Sequence, residues 1–118
     1  MAQADAYEEL AAQWLRARGW EIVARNVRFR GGELDIVALD GGHLVFVEVR
    51  QRSNPRYTGA AASVGRDKQR RLVRAASLFL QRHPRWANRP CRFDVIAFEP
   101  PQSAAHPEPR WIRAAFTA

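Results

Sequence analysis

The feature that most constrains the fold is a pair of apolar, β-branched segments, residues 33–39 and 43–50, separated by Asp40-Gly41-Gly42. Runs of valine, isoleucine and leucine of this length favour β-strands. The two glycines between them can adopt the positive φ angles that a tight turn requires. The sequence therefore predicts an antiparallel hairpin with Gly41 and Gly42 as its two-residue loop.

A loop of this length fixes which residues of the hairpin face each other. Asp35 would lie opposite Glu48, and Glu33 would lie opposite Arg50. Because side chains alternate between the faces of a strand, these four residues would share one polar face. The other face would be apolar core, formed by Leu34, Ile36, Val47 and Val49. Two facing carboxylates repel unless a cation, a shared proton or a basic neighbour compensates.

Two segments have apolar residues at helical spacing. The first helix would run from Asp5, which can cap its start, to Gly19, which can end it. Its buried stripe would comprise Tyr7, Leu10, Ala11, Trp14 and Leu15. The second helix would cover residues 66–81 and end before His83-Pro84. Its buried stripe would comprise Leu72, Ala75, Ala76 and Phe79.

Three further segments are predicted to be strands, namely residues 20–29, residues 92–98 and a short final strand from Trp111 at a sheet edge. Residues 53–63 and 99–109 are rich in proline or small residues and are predicted to be loops. The resulting order α-β-β-β-α-β-β predicts an α/β fold in which helices flank a mixed sheet. The 118 residues leave room for a single domain, residues 1–118.

The composition excludes several classes of protein. The N-terminus has neither the basic start nor the apolar run of a signal peptide, and no segment has the length of a membrane span. We therefore expect a cytoplasmic protein with no membrane partner. Cys91 is the single cysteine, so an intramolecular disulfide is excluded, and with three scattered histidines it gives no zinc-ligand spacing.

The chain is strongly basic, with a net charge of +7 and a pI near 11.1. Nucleic acid is the first partner that such a charge indicates. Basic residues crowd the first turns of the second predicted helix, where they favour phosphate contact over a merely solvated surface. The predicted nucleic-acid-binding residues are Arg66, Lys68, Gln69, Arg70, Arg71 and Arg74.

The polar face of the hairpin suits a hard divalent ion. Asp35 and Glu48 would offer the carboxylate oxygens that Mg²⁺ prefers, and an ion held there would orient a scissile phosphate and activate a water. Arg50 would stabilise negative charge but could not act as a general base. The plainer alternative is an exposed, charged hairpin face on which Glu33 and Arg50 form a surface ion pair of little energetic value.

Several motifs together resemble the YraN family of small, uncharacterised, endonuclease-like proteins. They are Gly32-Glu33-Leu34-Asp35-Ile36, Val45-Phe46-Val47-Glu48-Val49-Arg50, Lys68-Gln69 and Cys91-Arg92-Phe93-Asp94-Val95. The resemblance covers nearly the whole chain. It implies the restriction-endonuclease-like fold, which is related in its core to archaeal Holliday-junction resolvases.

The resemblance also implies an active-site pattern, Asp…(Asp/Glu)-x-Lys. On this chain the pattern implies that Asp35 and Glu48 bind a metal, Mg²⁺ or Mn²⁺, with the carbonyl of Val49 as a further ligand. Arg50 departs from the pattern, because related nucleases have at this position a lysine that helps to activate the attacking water.

Residues of the two helices complete the implied site. In some relatives of this fold a lysine or glutamine of the second helix serves the site, which makes Lys68 and Gln69 candidates. Lys68 is the only lysine in the chain. Glu8 matches an acidic residue that completes the cluster in several such nucleases. The spacing Asp5-x-x-Glu8 is also that of a capping box, so a purely structural role for Glu8 stays open.

Three functions are left open by the sequence. The leading hypothesis is a Mg²⁺- or Mn²⁺-dependent endonuclease acting on DNA, with branched or processed DNA as a candidate substrate. The alternative, favoured by Arg50, is a non-catalytic nucleic-acid-binding module of the same fold that acts as an adaptor in DNA processing. The third is a scaffold for an acidic protein. A homodimer through the edge strand near Trp111 is also expected by analogy with enzymes that cut two strands.

Two other residues receive structural or weaker roles. Asp94 is predicted to pair with Arg92 and is assigned no chemistry. The tryptophans fit core packing first, and only Trp86, in a basic loop, is a candidate for stacking on a base.

Overall fold

The computed structural model describes residues 2–51, 64–98 and 109–117. The predicted element order is confirmed. In chain order the elements are α1 (Ala2–Ala17), β1 (Glu21–Phe29), β2 (Gly32–Asp40), β3 (His43–Gln51), α2 (Arg66–Arg82), a 3-10 turn (Pro84–Trp86), β4 (Cys91–Phe98) and β5 (Arg110–Phe116). The loop predicted at residues 53–63 and almost all of the one predicted at residues 99–109 lie outside the described residues.

The strands form one mixed sheet in the order β1-β2-β3-β4-β5. β3 and β4 are parallel, and the other neighbouring pairs are antiparallel. α2 lies between the two parallel strands in sequence, because a parallel pair needs a long crossover connection. β5 lies at a sheet edge, as predicted for the strand from Trp111.

Both faces of the sheet are covered by a helix. One buried cluster lies under α1, and the other lies under α2 and contains its predicted stripe Leu72, Ala75, Ala76 and Phe79. Burying one such leucine or phenylalanine side chain contributes about 1.5–3 kcal/mol. The central hairpin therefore has an apolar environment on both faces, whereas the sequence predicted one polar and one apolar face.

The β2–β3 hairpin has the predicted two-residue loop, with Asp40 opposite His43 and a φ of 60° at Gly41. Its backbone ladder ends at Ile36 opposite Val47. Beyond that pair, β2 continues to pair with β1, and β3 continues to pair with β4. β2 and β3 therefore diverge at Asp35, which precedes Ile36, and at Glu48, which follows Val47. We call this point of divergence the fork.

The predicted alternation of faces is wrong at the fork. Leu34 belongs to the cluster under α2, whereas Ile36 belongs to the cluster under α1, although the two residues share parity. Asn26 of β1 has a φ of 53° and lies between the pairs Arg25–Ile36 and Val27–Leu34. A left-handed residue breaks the period of two in its own strand, β1, and the change of face in β2 occurs directly opposite it.

Two other expectations are also wrong. Glu33 does not lie opposite Arg50, because it pairs with Arg28 of β1, and the side chains of these two residues form an ion pair of 3.1 Å. α1 begins at Ala2, so Asp5 lies inside the helix rather than at its N-cap. A capping box therefore does not explain Glu8.

Asp94 joins the two last strands. Its side chain is fully buried and accepts hydrogen bonds from Arg92 Nε at 3.1 Å, Trp111 Nε1 at 2.9 Å and the Ala114 amide at 2.9 Å. The predicted pair with Arg92 is confirmed. Three donors on one buried carboxylate indicate a structural role.

In the part of the chain that the structure describes, no helix combines the length and apolar character needed to cross a membrane.

Candidate functional site

The candidate site lies at the fork between β2 and β3. Asp35 and Glu48 are the residues that follow the last pair of the ladder. Since β3 has left β2 here, the amide of Val49 donates its hydrogen bond to Asp35 Oδ2, at 3.0 Å, rather than to a backbone carbonyl of β2. The fork therefore holds the Asp35 carboxylate in place.

Both carboxylates are buried, with Asp35 8% and Glu48 5% exposed. The plainer alternative, an exposed charged face, is therefore wrong for these two residues. Burial of charge is costly unless the charge is paired. The pKa of Asp35 is raised to about 8, first by burial and then by the negative charge of Glu48, while the Val49 amide opposes the shift. A cation beside the two groups would relieve this repulsion.

The two oxygens of Glu48 have different surroundings. Oε2 lies 3.3 Å from a guanidinium nitrogen of Arg50 and 3.4 Å from Nζ of Lys68. Oε1 is buried and receives no hydrogen bond from the described residues. A buried acceptor without a donor costs about 1–3 kcal/mol, and more when it is charged. One oxygen is balanced by protein cations, and the other meets none among the described residues; in the metal-free protein the partner open to Glu48 is the carboxyl group of Asp35, which hydrogen-bonds to it when protonated.

Two more carboxylates lie beside Asp35, in a group that does not include Glu48. One carboxylate oxygen each of Glu8, Glu33 and Asp35 lies within 4.8 Å of the other two. Glu8 was implied by the family resemblance. Glu33 was not predicted as a ligand, although its position two residues before Asp35 on one strand was a usable signal.

A cavity of about 270 Å³ adjoins the acidic residues and is lined by Tyr7, Glu8, Val49, Arg50 and Gln51. Its lining combines a carboxylate of α1 with the cation at the end of β3. Val49, implied as a carbonyl ligand, lies on its wall. The cavity provides room beside the fork for water or for part of a substrate.

α2 approaches the fork closely because Gly32 has no side chain. A Cβ atom at this position would lie 2.6 Å from the carbonyl oxygen of Arg71 and 3.3 Å from Cβ of Ala75. This close packing sets the first turns of α2 beside β2. Lys68 can therefore reach Glu48 on the neighbouring strand.

Gln69, the other candidate from α2, has a different role. Its side-chain amide donates to the carbonyl of Val64 at 2.9 Å, and its backbone amide donates to the carbonyl of Gly65 at 2.9 Å. Gln69 thus holds the start of the helix. Among the residues predicted to bind nucleic acid, the structure brings Lys68 to Glu48, places Arg66, Gln69, Arg70 and Arg74 along a separate groove, and leaves Arg71 exposed.

Trp86 packs in the buried cluster under α2, which agrees with the core role that the sequence favours for the tryptophans and not with base stacking. This residue is only 8% exposed, and the guanidinium carbons of Arg85 and Arg89 lie 4.5 and 5.2 Å from its ring centroid. It therefore has little free surface on which a base could stack.

The groups at the fork fit a hard divalent cation. They offer carboxylate oxygens, which suit Mg²⁺ or Mn²⁺ rather than a thiolate-bound metal. Burial and the neighbouring charge of Glu48 raise the pKa of Asp35, so a cation bound beside the two groups would favour their ionised forms. The flanking cations Arg50 and Lys68 could contact a phosphate that approaches the same site.

Comparison with known proteins gives a consistent result. The profile described as "Uncharacterised protein family UPF0102" matches residues 7–98. A UPF0102 protein of Pseudomonas putida (strain GB-1) is 49% identical over 112 residues, covering 95% of this chain and 90% of the relative. UPF0102 proteins of Alcanivorax borkumensis and Halorhodospira halophila are 50% and 51% identical, each over 92% of this chain and over 86% and 82% of their own lengths.

Proposed function

The chain belongs to the UPF0102 family, and within that family we propose that it is a Mg²⁺- or Mn²⁺-dependent endonuclease that hydrolyses phosphodiester bonds in DNA. One observation carries the proposal. Glu48 is buried beside Asp35 with one oxygen against two cations and the other without a donor among the described residues. The resemblance to endonuclease-like proteins supports the same reaction.

The metal would be held by the carboxylates of Asp35 and Glu48. Glu8 and Glu33, whose carboxylates lie near Asp35, would be further ligands, and the carbonyl of Val49 is the ligand that the resemblance implies. When bound, the ion would supply a Lewis acid that polarises the phosphate and lowers the pKa of a water.

The protein itself fixes the geometry of the two acids. The amide of Val49 orients Asp35, and Arg50 with Lys68 orients Glu48 through Oε2. Groups held in this way need little reorganisation when a substrate binds, which is the main source of electrostatic catalysis in enzymes. The fork of β2 and β3 is thus the part of the fold that prepares the site.

Arg50 and Lys68 would act on the phosphate. Their side chains are 29% and 34% exposed, so both lie at the boundary between the buried acids and the solvent. Positive charge at this boundary favours the binding of a phosphate and stabilises the negative charge that develops during hydrolysis. Lys68 supplies from α2 the amine that the resemblance leads one to expect at position 50, and Arg50 supplies a permanent charge.

DNA as the substrate is supported by the charge of the chain and by its distribution. The net charge is +7, and the cations Arg50 and Lys68 border the acidic fork. Exposed arginines follow Lys68 along α2. A positive surround attracts a phosphate backbone, and its contribution is sensitive to salt.

A second candidate function is a nucleic-acid-binding adaptor of the same fold without turnover. Arg50 favours it, because an arginine cannot give up or accept a proton as a lysine can. The acidic fork would then be a structural remnant. The two candidates differ in whether divalent metal produces cleaved DNA.

The test is incubation of the protein with linear, flapped and four-way-junction DNA in Mg²⁺, Mn²⁺ or EDTA. We expect cleavage of at least one substrate in metal and none in EDTA. Tight binding without any metal-dependent product would instead establish the adaptor.

Matched variants locate the activity. Asp35→Asn and Glu48→Gln should abolish cleavage and leave DNA binding nearly unchanged, because they remove charge from the fork and not from the basic surface. Glu21→Gln is the control, since Glu21 is an exposed carboxylate on β1. Cleavage that survives in both fork variants would place the activity elsewhere.

A further inference from the structure

A second groove runs between α2 and the edge strand β5. It has a volume of about 780 Å³ and is open to the solvent in the described structure. Arg66, Arg70 and Arg74 line it from α2, and the apolar part of its lining is Val73, Ala115 and Phe116. None of the described residues that line it carries a carboxylate.

The three arginines form a regular row. They recur at every fourth residue, which on an α-helix spaces them ~6 Å apart along the axis. This is the order of the spacing between successive phosphates of one nucleic-acid strand. All three are exposed, and Arg70 also pairs with Asp67 on the same helix. The row therefore offers one cation to each of several consecutive phosphates.

The groove and the acidic fork lie on different flanks of α2. Lys68, which contacts Glu48, is two residues from both Arg66 and Arg70, and two residues correspond to roughly 200° around a helix. One flank of α2 thus faces the carboxylates, and the other faces β5. A ligand in the groove would bind beside the reacting phosphodiester without occupying its place.

The lining identifies the chemical class of the ligand. A row of guanidinium groups matches a polyanion, and apolar surface beside it matches flat, unpaired bases. The bases of a duplex are stacked inside and could not use that surface. Phe116 is only partly buried and stacks on Phe93 with ring centroids 4.8 Å apart, so its ring is held in place.

We propose that the groove between α2 and β5 binds a single-stranded nucleic-acid arm, with its phosphates along Arg66, Arg70 and Arg74 and its bases against Val73, Ala115 and Phe116. The inference rests on the proposed function in one respect, which is that the arm belongs to the DNA cut at the fork. The preferred substrate is then a DNA with a single-stranded arm next to a duplex, such as a flap.

The experiment measures binding of a fluorescent oligothymidine of about twelve nucleotides, a length within the range of known single-strand sites, to the full chain in EDTA. The test variant is Arg66→Ala/Arg74→Ala. The control is Arg16→Ala/Arg30→Ala, which removes the same charge from two exposed positions outside the groove. Thermal unfolding of both variants checks that each is folded.

We expect the groove variant to bind the oligothymidine about tenfold more weakly and to reduce the slope of log K against log salt by about 1.4, the value for two lost phosphate contacts on a single strand. The control should stay close to wild type. Equal losses in the two variants would overturn the proposal. So would an equal loss of affinity for blunt duplex, or displacement of the oligothymidine by polyglutamate at equal charge, which would indicate an acidic protein ligand.

Cleavage is measured separately in Mg²⁺ and Mn²⁺. The binding assay contains EDTA and so does not depend on hydrolysis. A negative result in this assay would therefore count against the groove and not against the proposed hydrolysis. If the groove variant loses binding and the wild type does not cleave DNA, the proposed single-strand groove stands and only the proposed hydrolysis is overturned.

Discussion

Nζ of Lys68 lies 3.4 Å from Oε2 of Glu48, so the only lysine in the chain reaches from α2 to the carboxylate on β3. Arg50, two residues after Glu48, contacts the same oxygen at 3.3 Å. Two cations from different elements thus converge on one carboxylate oxygen. We infer that the amine needed at this site is supplied across the fold rather than by the neighbouring residue of the strand.

Removal of this lysine should affect catalysis more than binding. Lys68→Ala is expected to slow DNA cleavage by about 10²-fold, the size of effect that follows the loss of one preorganised electrostatic group. Lys68→Arg keeps the charge but not the amine and should recover only part of the rate. Single-turnover cleavage measures both variants, with Arg16→Ala as the control for lost charge. Cleavage by Lys68→Ala at the wild-type rate would exclude the role given to Lys68.

The packing of α2 on β2 can be tested at Gly32. A methyl group there would lie 2.6 Å from the Arg71 carbonyl, so Gly32→Ala must move the helix or the strand. We expect a loss of about 1–3 kcal/mol in the free energy of unfolding, as for other overpacked sites, measured by urea denaturation. The matched variant is Gly42→Ala, because a Cβ at Gly42 meets no atom within 4 Å. Equal free energies of unfolding for Gly32→Ala and Gly42→Ala would show that α2 does not pack tightly against β2 at Gly32.

The raised pKa of Asp35 predicts how the metal-free protein responds to pH. Its carboxyl group has a pKa of about 8 in the folded protein against an ordinary value of 3.8. The folded state therefore holds the proton more tightly, and the resulting stability is fully present below pH 3.8 and is lost as the pH rises towards 8. An asparagine at position 35 has no carboxyl proton to lose, so Asp35→Asn should lack this loss of stability with rising pH.

In EDTA, the melting temperature of the wild type should thus fall more steeply than that of Asp35→Asn over this range. One kcal/mol corresponds to about 4–8 °C in a small domain, so the difference should reach several degrees. Glu21→Gln, at an exposed position, serves as the control and should follow the wild type. Parallel curves for wild type and Asp35→Asn would mean that the carboxyl group is ionised throughout.

Asp94 should behave as a structural acid, in contrast to Asp35. Asp94→Ala leaves the Trp111 indole and the Ala114 amide without their buried acceptor, while Arg92 keeps Asp40 as its one acceptor among the described residues, and loss of one partner of a buried pair costs about 3–5 kcal/mol. Denaturant unfolding should show this loss. Asp94→Ala with wild-type stability would be incompatible with the contacts between β4 and β5.

The sequence was sufficient for the features that depend on local patterns. Two consecutive glycines fixed the loop between Asp40 and His43, and the register then made Asp35 and Glu48 neighbours at the fork. The buried stripe of α2 followed from helical spacing. These patterns are strong because the turn and the amphipathic helix each depend on residues close together in the chain.

Features that depend on distant residues were not predictable. β2 changes face between Leu34 and Ile36, opposite Asn26 of β1 with its positive φ, and an asparagine within a strand gives no clear signal of this. Leu34 was therefore assigned to the wrong face, and Glu33 was paired with Arg50 instead of Arg28. The contact of Lys68 with Glu48 depends on how closely Gly32 lets α2 approach, which is a tertiary property.

The most direct test is a calorimetric titration of Mn²⁺ into the wild type, Asp35→Asn, Glu48→Gln and the control Glu21→Gln, all without DNA. If Asp35 and Glu48 hold the ion, the wild type and Glu21→Gln will bind Mn²⁺ with the same stoichiometry and affinity. Each fork variant will then lose most of that affinity. Binding of Mn²⁺ that is unchanged in Asp35→Asn and Glu48→Gln, or absent from the wild type, would contradict a metal site at the fork.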